Sequence, residues 1–126
     1  MDPDLIRTIL LELEALPASA DPIRGQNWLT MTYDDRSKED ISDHIRLMGE
    51  AGFIETYKVP SHYGTFWHPV RMTYKGHEYL NSVRSDTVWN KSKELAGKAF
   101  GTVTIEGIKA VLPYAIKAVL QGAGMQ

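Results

Sequence analysis

The sequence of 126 residues contains no cysteine. This absence excludes disulfide bonds, thiol nucleophiles and thiolate metal ligands. A formal net charge of −2 favours neither a nucleic acid nor an anionic membrane as the partner. The sequence also lacks a His-Glu-x-x-His pair, a phosphate-binding P-loop and a dinucleotide-binding glycine fingerprint. We therefore expect a protein without catalytic residues, cofactor or metal ion.

A long hydrophobic run is missing as well. The most apolar stretch, residues 105–120, is interrupted by three charged residues and by Pro113, so it does not predict a membrane span. The first residues, Met1-Asp2-Pro3-Asp4, are acidic where a secretory signal is basic. These features predict a cytoplasmic protein that does not bind membranes.

The charge is unevenly distributed along the chain. Residues 1–55 carry a formal charge of −7, whereas residues 56–98 carry +4. Such asymmetry is typical of a nucleic-acid-facing half, but it also fits the ordinary solvation of two surfaces. Both interpretations remain open at this point.

Apolar residues at helical spacing predict two helices in the first half. The first is expected from about Pro3 to Leu16, capped by Asp2, and the second from Ser37 to Ala51. Ser37 and Asp40 fit a capping box, and Gly52 is placed to end the second helix in the left-handed conformation. The predicted buried stripes are Leu5, Ile6, Ile9, Leu10 and Leu13, and then Ile41, His44, Ile45 and Met48.

The second half predicts a hairpin and further helices. Strands are expected over Phe53–Val59 and Phe66–Thr73, joined by a long tip at 60–65, with Pro69 at a sheet edge. A short additional strand is possible at Trp28–Tyr33. A helix begins near Tyr74 and continues, or restarts at Asp86, until the glycines Gly97 and Gly101 end it. The last helix is expected over Thr104–Gln121.

This element order is that of a winged helix-turn-helix. We predict an α+β, mainly helical winged-helix-like domain over residues 1–100, with a two- or three-stranded antiparallel wing and two C-terminal helices. Residues 101–126 form a C-terminal helix for packing or dimerisation. Between the short strand and the wing only one capped helix, Ser37–Ala51, is evident, where ordinary modules have two helices separated by a turn. This difference weakens the expectation of standard major-groove docking.

Four segments carry a closer resemblance. Their sequences are Asp4-Leu5-Ile6-Arg7 with Leu10-Leu11-Glu12, His44 through Ile54, Thr73-Tyr74-Lys75-Gly76-His77-Glu78-Tyr79-Leu80, and Asp86-Thr87-Val88-Trp89-Asn90-Lys91. In these segments the chain resembles the domain of unknown function 2513 family, small proteins common in phages and bacterial mobile elements. The resemblance implies a fold and an origin, and it leaves the activity open.

Cations interleaved with aromatic residues make the wing the first candidate for DNA binding. The solvent face of the second helix is expected to hold Glu39, Ser42, Asp43, Arg46, Gly49 and Glu50. Arg46 is the candidate base reader on this face, but Asp43 and Glu50 beside it would repel phosphate. The candidate nucleic-acid-binding residues are Arg36, Lys38, Arg46, Lys58, His62, Tyr63, Arg71 and Lys75. The first functional hypothesis is a DNA-associated regulator, and the alternative is a protein-interaction module that keeps the winged fold without DNA binding.

Other residues have a structural interpretation that competes with a functional one. Trp67 is expected to pack against the helices, His44 to be a satisfied core histidine, and Trp89 to be an anchor between C-terminal helices. The lysines of Lys91-Ser92-Lys93 either bind a phosphate or an acidic partner, or they form a solvated helix face, which is the favoured interpretation. The apolar last helix predicts a homodimer through Ile105, Ile108, Leu112, Ile116 and Leu120.

Overall fold

A computed structural model describes residues 2–16, 36–62 and 64–124 of the chain. The predicted strand at Trp28–Tyr33 and the hairpin residue Tyr63 lie outside the described residues. The elements, in order, are α1 (Pro3–Ala15), α2 (Lys38–Glu50), β1 (Ile54–Ser61), β2 (Gly64–Met72), α3 (Tyr74–Val83), α4 (Asp86–Phe100) and α5 (Ile105–Gly124). The described chain is thus α+β and mostly helical, with one two-stranded antiparallel sheet.

The chain divides into two compact units. The central unit is Thr8–Glu78, and the terminal unit combines Met1–Arg7 with Tyr79–Gln126. In the central unit α2 packs against both strands, and in the terminal unit α4 packs against α5. Residues 101–126, predicted as an extension, therefore belong to the same unit as α4.

The first two helices form where their caps and apolar stripes predict. The Asp2 carboxylate accepts a hydrogen bond from the Asp4 amide at 2.9 Å, and the Ser37 hydroxyl accepts one from the Asp40 amide at 3.1 Å. All nine predicted stripe residues are buried. Gly52 has a φ of +83°, which confirms the left-handed turn that leads from α2 toward β1.

The hairpin is longer and tighter than the sequence predicts. Ser61 pairs with Gly64, so the strands continue through most of the predicted 60–65 tip and leave only two residues between them. The Ser61 hydroxyl donates to the Gly64 carbonyl oxygen at 2.8 Å and fastens the end of the ladder. Near the base, the register shifts between Glu55 and Thr56, beside the Thr56–Pro69 pair. Pro69 thus lies at an irregularity, where the missing amide hydrogen is tolerated.

The remaining helices begin and end at identifiable caps. Ser85 caps α4, so of the two alternatives that the sequence left open, continuation or a restart at Asp86, the structure shows the restart. The prediction that Gly97 ends this helix is wrong, because α4 continues to Phe100 and ends at Gly101 with a φ of +77°. The last helix passes through Pro113 and extends to Gly124. Among the described residues, no helix combines the length and the apolar character that crossing a bilayer requires.

Candidate nucleic-acid interface

The exposed face of α2 differs from the predicted one. Glu39, Asp43 and Glu50 are exposed, but Ser42 is buried and its hydroxyl accepts a 2.7 Å hydrogen bond from the Trp67 amide. Gly49 is half-buried, and a Cβ there would lie 2.9 Å from the Thr56 methyl group. The prediction that Ser42 and Gly49 face solvent is therefore wrong, because this side of the helix receives the hairpin.

Arg46, the predicted base reader, is held by two carboxylates of its own helix. Its Nη2 donates to Asp43 at 2.7 Å, and its Nη1 donates to Glu50 one turn further on. The hydrogen bond to Asp43 is the main reason that the pKa of Arg46 is raised, with further contributions from the charges of both carboxylates. Arg46 therefore stays charged, but its donors are engaged and the surface around it is negative overall.

The N-terminal end of α2 carries two further candidate cations. Arg36 is half-buried and donates to the Asp40 carboxylate at 3.0 Å. Lys38 is exposed, and it forms no ion pair within residues 36–62 and 64–124. His44 is buried, and its Nδ1 donates to the Asp40 carbonyl oxygen at 2.8 Å, which confirms the interpretation as a satisfied core histidine.

On the hairpin, Lys58 and Trp67 face each other across the two strands. The Lys58 Nζ lies 5.0 Å from the centre of the Trp67 ring, within the range of a cation–π interaction. Lys58 is exposed and has no anionic partner among the described residues. Trp67 is half-buried, so the ring packs on the protein and holds the ammonium group at the surface.

The three other candidate residues of the hairpin have different surroundings. His62 is exposed at the tip, and Tyr63 beside it lies outside the described residues. Arg71 forms an ion pair with Glu55 on the opposite strand, so its charge is locally compensated. The hairpin therefore presents fewer uncompensated cations than its sequence predicts.

His68 does not add to the exposed cations of the hairpin. It is buried, and its Nδ1 lies 3.4 Å from the Tyr57 hydroxyl, with the two rings edge to face. Burial lowers the pKa of His68, because the charged imidazolium is poorly solvated there. A neutral His68 is a packing residue of the hairpin.

Lys75, the last candidate, lies where the hairpin joins α3. Its side chain runs past Gly52, with Cδ 3.4 Å from the position of a Cβ on that glycine. Thr73 organises this junction, because its hydroxyl donates to the Gly52 carbonyl oxygen and accepts from the Gly76 amide. Lys75 is exposed and unpaired within the described part of the chain.

The lysines of the Lys91-Ser92-Lys93 segment already have partners. Lys91 lies 3.5 Å from Glu94, and Lys93 contacts Asp4 at 3.0 Å. Ser92 is buried and donates to the Val88 carbonyl oxygen. Because both lysines contact carboxylates of the chain itself, the structure favours a structural role for this segment over phosphate binding.

A cluster around Trp89 was not predicted in this form. The indole Nε1 donates to the Asp4 carboxylate at 2.8 Å, and the guanidinium of Arg7 lies 5.4 Å from the ring centre. The sequence predicts Trp89 as an anchor between C-terminal helices, whereas its polar partner lies in the first turn of α1. The only signal in the sequence is that both segments belong to the family pattern.

No group of three or more His, Asp or Glu residues able to hold a metal ion occurs among the described residues.

These features define a mainly helical α+β protein with one hairpin. The family model described as "Hypothetical protein (DUF2513)" matches residues 1–102, so the chain belongs to this family. The chain is also 33% identical over 117 residues to an uncharacterized protein of Haemophilus influenzae, covering 93% of this chain and 95% of that relative. No solved structure matches the chain.

Proposed function

We propose that the protein is a non-enzymatic, DNA-associated regulator with a winged-helix architecture, which contacts phosphate through the hairpin and not through α2. The family resemblance implies an origin in phages or mobile elements. The observation that carries the proposal is the exposed Lys58 held over Trp67. Phosphate contacts position a protein on DNA, and a lysine fixed at the surface provides such a contact.

Two further exposed candidates lie at the ends of the hairpin. Lys75 lies beside Gly52 at the base of the hairpin, and His62 lies at its tip. By contrast, the acidic network of Asp43, Arg46 and Glu50 disfavours the entry of α2 into a groove. The proposed contact is therefore small, sequence-tolerant and led by the wing.

A DNA titration at two salt concentrations tests this proposal. Two lysine–phosphate contacts predict that the affinity falls by about tenfold between roughly 50 and 200 mM salt. Fluorescence polarisation of a labelled mixed-sequence duplex measures this slope. Absence of binding even at the lower salt concentration would overturn the proposal, since the phosphate attraction is strongest there.

Charge reversal then locates the contact. Lys58→Glu is expected to weaken binding by about tenfold, because it replaces an attraction to phosphate with a repulsion. Lys98→Glu changes the net charge equally on an exposed residue of α4 and should leave most of the affinity intact. Equal losses in both variants would mean that only overall charge matters.

The acidic surface of α2 supports a second candidate function, a protein-interaction module for a basic partner. Glu39, Asp43 and Glu50 expose carboxylates on one helix, and Arg46 neutralises them only in part. A labelled lysine-rich peptide is the probe for this function. If α2 binds a basic partner, the peptide should bind the wild type at low salt and should bind the Glu39→Lys variant more weakly. If the protein acts only through DNA, this substitution should not change the affinity for the peptide.

A further inference from the structure

The predicted dimer surface on α5 is largely buried within the chain itself. Ile105, Ile108 and Leu112 are covered, whereas Ile116 is at the margin and Leu120 is 65% exposed. The three buried residues thus form the core of the terminal unit, and any contact with another molecule must use the opposite face.

The opposite face follows a regular spacing. Its centre consists of the exposed residues Glu106, Ala110, Pro113, Lys117 and Leu120. They are separated alternately by four and three residues, which is the spacing of neighbours on one face of a helix. Tyr114, 70% exposed, flanks this row. We name these five residues the α5 seam.

We propose that the α5 seam pairs antiparallel with the α5 seam of a second copy of this chain. The charges in the seam support this occupant. Glu106 lies four residues before Ala110, and Lys117 lies four residues after Pro113, so these two opposite charges are symmetric about the midpoint between Ala110 and Pro113. An antiparallel partner therefore places Glu106 against Lys117 of the partner subunit, and it does so twice.

The same register also satisfies the packing rules. It sets Ala110 opposite Pro113 of the partner subunit, so the smallest seam residues meet at the centre and allow a close approach of the helices. Neither Glu106 nor Lys117 forms an ion pair within the described residues. A second copy thus provides both charges with a partner.

Charge reversal with mixing tests this pairing. Glu106→Lys places two lysine pairs in the homodimer, and Lys117→Glu places two glutamate pairs there. Each variant alone should self-associate at least about tenfold more weakly than the wild type, because both contacts become repulsive. An equimolar mixture of the two variants should dimerise again, since every contact in the mixed dimer joins opposite charges.

Sedimentation velocity of the full chain over a range of concentrations measures these masses. Circular dichroism confirms that each variant is folded, and Lys98→Glu is the control for net charge. Modest interfaces have dissociation constants in the micromolar range. A wild type that stays monomeric at a chain concentration of about 100 µM would therefore overturn the proposal. Unchanged dimerisation in both single variants, or no recovery on mixing, would overturn the antiparallel seam.

Discussion

At the scale of single residues, Gly76 shows why one family segment needs glycine. A Cβ at this position would lie 2.1 Å from the Phe53 carbonyl oxygen and 2.8 Å from the Met72 Cγ. The first of these atoms belongs to the backbone and is fixed by a hydrogen bond from the Thr73 amide. The α3 helix can therefore approach the start of the hairpin only where no side chain intervenes.

Gly76→Ala is expected to destabilise the protein by about 2 kcal/mol or more, since the backbone of Phe53 must move. Gly97→Ala is the matched control, because a Cβ at this helical position meets nothing within 4 Å. This substitution should stabilise the protein by about 0.5–1 kcal/mol through helix propensity. Urea denaturation measures both changes, and a neutral Gly76→Ala would contradict the close approach.

His68 predicts a pH dependence of stability. Burial lowers its pKa in the folded state below the ordinary value of about 6.5, so the unfolded chain binds a proton first as the pH falls. The free energy of unfolding is therefore expected to decrease as the pH falls through about 6.5, and this decrease levels off below the folded-state pKa.

Replacing His68 with glutamine should remove this part of the pH dependence. The measurement is the free energy of unfolding of wild type and His68→Gln at pH 7.5 and at lower pH. His62→Gln, at an exposed position of the same hairpin, should behave as the wild type does. Identical pH profiles for wild type and His68→Gln would be evidence against the buried neutral imidazole.

At the scale of elements, Arg7 joins the first helix to the junction of α3 and α4. Its Nε donates to the Val83 carbonyl oxygen, and its Nη2 donates to the Arg84 carbonyl oxygen and to Asp86, each at 2.8 Å. The side chain is 13% exposed. The guanidinium thus satisfies carbonyl groups at the end of α3 that have no partner within that helix.

Arg7→Lys is expected to cost about 1–2 kcal/mol of unfolding free energy, since one ammonium group cannot reproduce the three directed hydrogen bonds. The comparison is Arg46→Lys on α2, where both carboxylate partners are more than half exposed and a loss of about 0.5 kcal/mol or less is expected. Chemical denaturation of both variants decides this, and equal losses would mean that the Arg7 contacts contribute no more than a surface ion pair.

The sequence predicts the elements better than their ends or their partners. Caps and apolar stripes are local signals, so α1 and α2 follow directly from them. The restart of α4 at Asp86 was only one of two alternatives, because the cap at Ser85 was not recognised in the sequence. The hairpin tip was predicted too long because Pro60 and Ser61 have turn composition, although strand pairing extends through them. Gly97 was predicted to end α4, because glycine lowers helix propensity but does not prevent a helix held by its neighbours.

At the scale of the whole molecule, ion pairs compensate part of the positive charge that the sequence assigns to the candidate interface. Arg36, Arg46 and Arg71 each contact a carboxylate, so three of the candidate cations are compensated. Such pairing depends on side-chain geometry and on strand register, which the sequence alone does not provide. Lys38, Lys58 and Lys75 carry the remaining positive charge of the candidate interface.

The most direct test compares Lys58→Ala with Arg46→Ala in binding to a labelled duplex at low salt. Lys58→Ala is expected to weaken binding severalfold, because it removes the cation held over Trp67. Arg46→Ala is expected to have little effect, since Asp43 and Glu50 already engage that guanidinium. Loss of binding in Arg46→Ala with an unchanged Lys58→Ala would contradict a contact led by the hairpin.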